Sequence, residues 1–479
     1  IILAFRQRLY AAVMVLKPGD CKLPAHFKLA DASIPNLLQG LESGQFTTEQ
    51  LVKTYVARIH DVQPKVHAVS EINPDCVALA LELDKERAQG QTRGLLHGLP
   101  ILLKDVFGGH GVMNTTVGFS GLAGAKYSSE ATVLRRLRDA GAVVHAHTSM
   151  TEWLNIRASK NAPNGWSPVS GQSLGIFCQN QDPGGSSTGS GIGAALGLGA
   201  AALGTETAGS IASPARTCGV VGLKPTATLV SRQGIFMGSQ WQDSVGILAR
   251  SVLDAAYVLT AISGEFEAAA FGTRNFAKIQ GLMDYVLLHV INTKPFVGEK
   301  FEEALDVLQS LGAVIVDDAT FPEYSLDVLE KYKDIWNVSL MVDFRNMADM
   351  NNFLGTLVEN PHGLNSIEDV IEYTKRVADE KFEAHGADDL ELASQLGREC
   401  DINPQAYEES RSLRLRMGME IGKLLDNYNC SLLVTPSWTD TTASLGGNPQ
   451  ISLPLPALPE DFPVKLRGNG MVADGPNIP

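Results

Sequence analysis

The chain has 479 residues, of which 44% are hydrophobic and 19% are charged, as is usual for a soluble globular enzyme. A chain of this length can bury a large core in one or more domains. Its formal net charge of −14 argues against a nucleic-acid partner, because nucleic-acid-binding surfaces normally carry a basic patch.

Helical and extended patterns alternate along the chain, which favours an α/β fold with layers of helices over a sheet. Apolar residues at helical spacing predict helices at 43–62, 75–89, 129–140, 251–262, 301–311, 329–354, 366–377 and 404–425. Thr47 and Gln50 fit a capping box near the start of the first helix. Short apolar runs predict strands at 101–104, 142–146, 313–316 and 431–434, and we expect the first and last of these to be buried.

The N-terminal segment 1–20 is apolar but contains Arg6 and Arg8, and it fits an N-terminal arm or a residual signal region. No segment approaches the length of a transmembrane helix. Residues 21–479 show no linker rich in proline and glycine, so a single domain is the simplest expectation. The compartment is left open between the cytoplasm and secretion.

The six cysteines are scattered and include no C-x-x-C pair, so the spacing of zinc ligands is absent. Cys218 lies in an apolar run, where we expect a small core residue rather than a nucleophile. The segment 197–202 fits G-x-G-x-x-A, but it lacks the strand–turn–helix context of a dinucleotide site. The sequence therefore predicts neither a metal nor a cofactor.

The stretch from Pro183 to Thr226 is crowded with Gly, Ala, Ser and Thr and is nearly free of charge. Two serine-bearing glycine turns stand at either end of its apolar middle, and they place Ser186 and Ser210 24 residues apart. Glycine lets a backbone adopt positive φ or approach a ligand closely, at a cost in stability elsewhere. Two such turns beside hydroxyl groups predict an active site.

Lys104 ends a short apolar run, where an unpaired ammonium is costly to bury. In one interpretation it is a lysine at a strand end that pairs with Asp105 or with a distant carboxylate. In the other it is a desolvated lysine whose pKa is low enough for a general base near neutral pH. The residue alone leaves both interpretations open.

These motifs occur together in the amidase signature hydrolases, which the chain resembles. The similarity runs from about Leu37 to Pro454 and is carried by HGLPILLKD, HTSMTEW, PGGSSTGSG, GTETAGSI, CGVVGLKPT, DSVGILARSVLDAA and SLLVTPS. The general pattern is most similar to the fungal amidases of the family. The resemblance implies a large mixed β-sheet covered by helices on both faces. It also implies hydrolysis of a carboxylic amide to an acid and ammonia or an amine.

The resemblance further implies a Ser–Ser–Lys triad, and each member can be assigned to a residue of this chain. Ser210 matches the nucleophile that forms the acyl-enzyme. Ser186 matches the bridging serine, which the family holds with a cis peptide bond. Lys104 matches the base that removes the proton through the bridging serine.

Backbone amides beside the nucleophile are expected to hold the oxyanion, and the resemblance places them at Thr207, Ala208 and Gly209. Ser187 is expected to support the network. Ser187 also satisfies G-x-S-x-G, which would make it the elbow nucleophile of an α/β-hydrolase. That role needs a strand directly before the turn, whereas the segment 178–183 is polar.

The chain departs from the family pattern at several positions. Ala212 stands where the family often has an arginine, Glu206 replaces an aspartate and Ala208 replaces a glycine. His147 and Ser149 replace a lysine and an asparagine. These changes leave the triad intact but put substrate orientation and the shape of the oxyanion hole in question.

The domain is also expected to lack the family's usual C-terminal strand and helix. Two alternative functions stay open beside amide hydrolysis. One is a catalytically impaired relative that acts by binding. The other is an amidotransferase subunit that releases ammonia from glutamine. A small-molecule amide is the predicted partner, and a homodimer is left open.

Overall fold

The structure is a computed structural model of the chain. It describes residues 23, 28–109, 112–157, 161–239, 241–263, 285–288, 295–316, 350–435, 443–444, 446–455, 458–459, 463–474 and 478. The arm predicted over 1–20 and most of the helix predicted over 329–354 lie outside these residues.

A mixed seven-stranded sheet forms the centre of the described chain. Its strands are numbered in chain order, and their order across the sheet is β1 (Val69–Ile72), β4 (Val143–Thr148), β2 (Pro100–Lys104), β7 (Ala201–Glu206), β9 (Ser244–Ala249), β8 (Val221–Lys224) and β14 (Gln450–Ser452). Strands β4, β2 and β7 are mutually parallel, and the remaining pairs are antiparallel. Because parallel strands end at the same edge of a sheet, Lys104 and the end of β7 lie side by side.

The central strands of the sheet are buried on both faces. Along β2, Ile101 and Leu103 belong to one apolar cluster and Leu102 to another, because successive side chains of a strand point to opposite faces. Leu203 and Ala202 repeat this division on β7. Burial on both faces explains why these strands read as continuous apolar runs in the sequence.

Helices cover both faces of the sheet, as the family resemblance implies. The cluster that contains Ile101 is filled from α1 (Ile34–Glu42), α2 (Thr48–Val66), α4 (Thr132–Asp139) and α7 (Val252–Ile262). The cluster that contains Leu102 is filled from the second half of α2, from α5 (Thr188–Ala195) and from α6 (Ala212–Cys218). Helix α3 (Cys76–Ala88) packs against α2.

The remaining elements lie around this core. The helices are α8 (Pro295–Ser310), α9 (Met350–Leu354), α10 (Ile367–Arg376), α11 (Phe382–His385), α12 (Asp388–Ile402) and α13 (Pro404–Asn427). Three antiparallel pairs are formed by β3 (Lys126–Tyr127) with β12 (Leu357–Glu359), by β5 (Trp166–Ser167) with β6 (Gly171–Gln172), and by β15 (Lys465–Leu466) with β16 (Val472–Asp474). A parallel sheet has the order β11 (Val314–Val316), β10 (Tyr285–Leu288) and β13 (Leu432–Val434).

One prediction about burial is wrong. The run 431–434 was expected to form a buried strand, and β13 is indeed present, but Leu432 is 47% exposed. The reason is position, because β13 is an edge strand of the three-stranded sheet. An apolar run of this length does not distinguish an edge strand from a central one.

Candidate active site

Lys104 is the last residue of β2 and is fully buried. Its ammonium donates to Ser186 Oγ at 2.8 Å, and to Oγ1 and the carbonyl oxygen of Thr205 at 3.1 and 3.2 Å. It forms no hydrogen bond with Asp105, whose carboxylate instead accepts from the backbone N–H of Thr116 at 2.9 Å and from its hydroxyl. The partners of the lysine are therefore neutral, and the interpretation in which it pairs with Asp105 is wrong.

Burial lowers the pKa of Lys104 to about 7, because desolvation disfavours the charged ammonium. The negative charges of Asp243 and Glu206 act in the opposite direction and favour the ammonium. Near neutral pH, a substantial fraction of Lys104 is therefore the free amine, which can accept a proton.

Ser186 lies in the tight turn that precedes α5, and it is fully buried. The peptide bond between Gly185 and Ser186 is cis, as the resemblance implies. Gly184 has a φ of +71°, and a Cβ there would lie 2.7 Å from Thr217 Oγ1. The carbonyl of Ser186 accepts from the backbone N–H of Thr151 at 3.1 Å. Glycine and close packing thus shape this turn.

Ser210 lies in a second turn, between the end of β7 and the start of α6. The preceding Gly209 has a φ of +83°, a conformation that L side chains rarely adopt. Ser210 is 9% exposed, Thr207 and Gly209 are half-buried, and Ala208 is exposed. This turn therefore opens toward solvent beside the serine hydroxyl.

The hydroxyl of Ser186 donates to Ser210 Oγ at 3.0 Å. Together with the 2.8 Å contact from Lys104 Nζ to Ser186 Oγ, this makes one continuous hydrogen-bonded path. The three residues come from separate segments of the chain. The structure thus brings together the lysine and the two serines that the sequence singled out.

Ser187 points away from this path. Its Oγ donates to the carbonyl of Thr205 at 3.1 Å and accepts from the N–H of the same residue at 3.3 Å. Thr205 in turn accepts two hydrogen bonds from Lys104, so Ser187 is connected to the lysine only through Thr205.

Sequence reasoning missed Thr205. Its only signal was its position in the GTE segment that ends β7.

The α/β-hydrolase alternative has no structural support in the described chain. Between β6 and α5 the backbone forms no strand, only an isolated bridge at Gln181. Ser187 is fully buried, unlike an elbow nucleophile exposed at the top of a sheet.

Cys218 is buried as expected, and burial raises the pKa of its thiol to about 12, so it stays protonated at neutral pH.

The departure at Glu206 has a structural counterpart. Its Oε2 accepts from the backbone N–H groups of Ile211 and Ala212 at 2.7 and 2.9 Å, which are the first amides after Ser210. Its other oxygen is buried and has no hydrogen-bond partner among the described residues. Glu206 therefore braces the nucleophile turn through the backbone, and Ala212 supplies no side chain to pair with it.

Comparison with known proteins shows the family of the chain. Residues 50–453 match the family model described as Amidase. The chain belongs to the amidase signature family. This amidase is 33% identical to a presumed amidase from the fungus Arthroderma benhamiae, over 97% of the chain and 83% of the relative. A presumed amidase from the fission yeast Schizosaccharomyces pombe is also 33% identical, over 89% and 80%.

Solved structures of peptide amidases share the fold of this amidase. The native enzyme from Stenotrophomonas maltophilia has a TM-score of 0.77 and 30% identity, with 92% of each chain covered. A peptide amidase in complex with the competitive inhibitor chymostatin has a TM-score of 0.78 and 30% identity, with 93% of each chain covered. The predicted mixed sheet with helices on both faces is therefore confirmed.

Amidotransferase subunits are similar over a shorter part of the chain. One subunit of the glutamyl-tRNA(Gln) amidotransferase from Chloroflexus aurantiacus is 34% identical over 58% of each protein.

Within the described ranges, no helix is long and apolar enough to cross a bilayer. In the same ranges, no group of three or more His, Cys, Asp or Glu side chains is arranged to hold a metal ion.

Proposed function

We propose that this amidase hydrolyses a carboxylic amide to an acid and ammonia or an amine through an acyl-enzyme on Ser210. The observation that carries the proposal is the path from Lys104 Nζ through Ser186 Oγ to Ser210 Oγ, with separations of 2.8 and 3.0 Å. The family and the peptide amidase structures at 30% identity support the reaction class.

The path carries protons in the direction that attack requires once Lys104 is neutral. A serine hydroxyl is a weak nucleophile until a neighbouring base takes its proton. Ser210 then donates to Ser186, and Ser186 donates to the free amine of Lys104. As Ser210 Oγ bonds to the amide carbon, both protons move one step toward the lysine. The return of a proton through Ser186 lets the amine leave, and water hydrolyses the ester by the same steps.

The negative oxygen of the tetrahedral intermediate needs hydrogen-bond donors in a fixed position. We assign this role to the backbone N–H groups of Thr207, Ala208 and Gly209, with that of Ser210. Each donor of this kind is typically worth about 2.7–4 kcal/mol of transition-state stabilisation. The half-buried, glycine-containing turn supports the assignment, because it lets a carbonyl approach the backbone. Ser187 supports the lysine through Thr205.

The proposal is tested by measuring ammonia and amine released from short aliphatic, aryl and long-chain amides. Wild-type protein should hydrolyse at least one class. Ser210→Ala should show no turnover, and Lys104→Ala should lose about 10²–10⁴-fold, the usual contribution of a general base. Both variants should keep the wild-type circular dichroism spectrum.

Two outcomes of the same screen would favour the alternatives. A folded wild-type protein that binds amides but releases nothing would be an impaired relative that acts by binding. Glutaminase activity that rises only when partner subunits are added would indicate an amidotransferase subunit. Retained turnover in Lys104→Ala would mean that another group is the base.

A further inference from the structure

Asp182 lies four residues before Ser186 and is 2% exposed. Its Oδ1 accepts from the backbone N–H of Gly184 at 2.8 Å and from Asn164 Nδ2 at 3.0 Å. Its Oδ2 forms an ion pair with Nε of Arg467. One buried carboxylate therefore holds the start of the turn that carries Ser186.

The turn beyond Asp182 has little room to move. A Cβ on Gly185 would lie 2.6 Å from Thr151 Oγ1 and 2.8 Å from Asn164 Oδ1. Asn164 thus contacts the carboxylate of Asp182 with its nitrogen and faces the backbone of Gly185 with its oxygen. Close-packed interiors transmit strain, so a shift of the carboxylate would displace the turn that carries Ser186.

The hairpin formed by β15 and β16, near the C-terminus, closes the other side of this loop. The backbone N–H of Asp182 donates to the carbonyl of Val472 at 2.8 Å, and the N–H of Val472 donates to the carbonyl of Asn180 at 2.9 Å. Arg467, whose side chain is 39% exposed, joins the same hairpin to the carboxylate of Asp182. The hairpin is therefore fixed to the segment that leads into the turn.

We infer that Asp182 is a positioning residue for Ser186, and that the β15–β16 hairpin takes part through Arg467. The inference rests on the proposed function, because it concerns the alignment of the proton path. Ser186 must stay within hydrogen-bond reach of both Lys104 and Ser210. A misplacement of about 1 Å can cost about 10²-fold in rate. The turn that carries Ser186 lies behind the reacting hydroxyl of Ser210. Displacement of this turn should therefore lower kcat and leave KM nearly unchanged.

The test is steady-state kinetics on the best amide from the screen, with kcat expressed per active site titrated by a fluorophosphonate. Asp182→Ala should lower kcat at least about tenfold. Asp182→Asn should recover most of it, because it keeps an oxygen for the N–H of Gly184. Arg467→Ala should show a smaller but measurable fall. Arg138→Ala, which breaks the exposed pair with Glu130, is the matched control and should keep the wild-type kcat.

A merely structural role would lower the melting temperature and the number of titrated sites, but not kcat per site. Wild-type kcat per site in folded Asp182→Ala, or in Arg467→Ala, overturns the inference. If Asp182→Ala does not fold, Arg467→Ala alone decides. Ser210→Ala and Lys104→Ala are measured alongside. If those two lose turnover while the positioning variants keep it, only this inference fails; if those two keep turnover, the proposed function fails.

Discussion

Lys104 is a buried lysine whose hydrogen-bond partners, Ser186 and Thr205, are neutral. An ammonium in such a place is costly, and the low pKa of Lys104 is the consequence. The carboxylates of Glu206 and Asp243 limit the effect by favouring the charged form. The protonation state of the lysine is therefore set by burial on one side and by two acidic residues on the other.

The pH dependence of kcat/KM should follow this lysine. The neutral amine is the active form, so the rate should rise with pH through about 7 and then level off. Glu206→Gln removes a negative charge that favours the ammonium, which lowers the pKa of Lys104. The rising part of the pH profile of kcat/KM should therefore move to lower pH in Glu206→Gln. Glu206→Asp keeps the charge and serves as the control. A rising part that stays in place or moves to higher pH in Glu206→Gln would contradict this account.

The residues of the path could be found from sequence because they lie in motifs. Ser186 and Ser210 follow glycines in a stretch of small residues that is nearly free of charge, and Lys104 ends a short apolar run. Thr205 and Asp182 could not be found in this way. Thr205 contacts the distant Lys104, and Asp182 contacts the distant Arg467 besides the nearby Gly184. A threonine in a strand or an aspartate in a loop has no distinctive pattern.

At the scale of elements, α5 approaches the sheet more closely than a side chain allows. A Cβ on Gly189 would lie 2.1 Å from the carbonyl oxygen of Ala68 and 2.6 Å from the backbone nitrogen of Ser149. The N–H of Gly189 also donates to the carbonyl of Ser149 at 2.9 Å. Since α5 follows the turn with Ser186 directly, this contact holds the start of the helix close to that turn.

Gly189→Ala should therefore cost stability and turnover together. The added methyl group meets backbone atoms that cannot rotate away, so the free energy of unfolding should fall by about 1–3 kcal/mol or more. The matched control is Gly422→Ala on α13, where a Cβ would meet nothing within 4 Å. That substitution should raise stability by about 0.5–1 kcal/mol, because alanine favours a helix interior. Urea denaturation measures the free energy of unfolding of both variants. Equal changes in the two variants would contradict the packing argument.

The helix predicted over 43–62 spans Thr48–Val66 in the structure, so both of its boundaries differ from the prediction. The helix expected from the capping box of Thr47 and Gln50 does begin there, because that motif satisfies its first N–H groups. The same helix was expected to end at 62, but it continues past Pro64 to a left-handed cap at His67. Glycine and asparagine are the residues that usually mark a left-handed cap, so a histidine at this position does not predict one.

At the scale of the whole molecule, a buried charge cluster joins two distant parts of the chain. Arg157 Nη1 contacts Glu152 Oε2 at 2.5 Å and Glu380 Oε2 at 2.9 Å, and all three side chains are at most 1% exposed. Arg157 also donates to the carbonyls of Glu380 and Gly386. Burial raises the pKa of both glutamates. The cluster thus holds the 380–386 segment against the loop that follows β4.

Removal of the arginine should be costly, and more so at high pH. Arg157→Met leaves two carboxyl groups buried without a cation, a change that typically costs about 3–5 kcal/mol. A carboxyl whose folded pKa is raised is most favourable to folding below its unfolded pKa of about 4.3 and loses that contribution as pH rises. Denaturation at pH 5 and pH 8 should therefore show the larger loss at pH 8. Arg398→Ala, on an exposed pair with Glu368, should cost under about 1 kcal/mol at both.

The family resemblance predicted the sheet and its two helical layers, but not which distant segments meet. The β15–β16 hairpin is too short for a recognisable pattern, and it contacts the segment before Ser186 through two backbone hydrogen bonds and the ion pair of Arg467 with Asp182. The link from Arg157 to Glu380 likewise joins residues that no local periodicity relates. Such contacts follow from the complete tertiary structure.

The identity of the nucleophile is tested most directly by fluorophosphonate labelling and peptide mapping of the folded protein. We expect a single label on Ser210, no label on Ser210→Ala, and slower labelling of Lys104→Ala. Ser187→Ala should still be labelled at Ser210. A label on Ser187 of the wild-type protein, or no label on folded wild-type protein, would contradict the account.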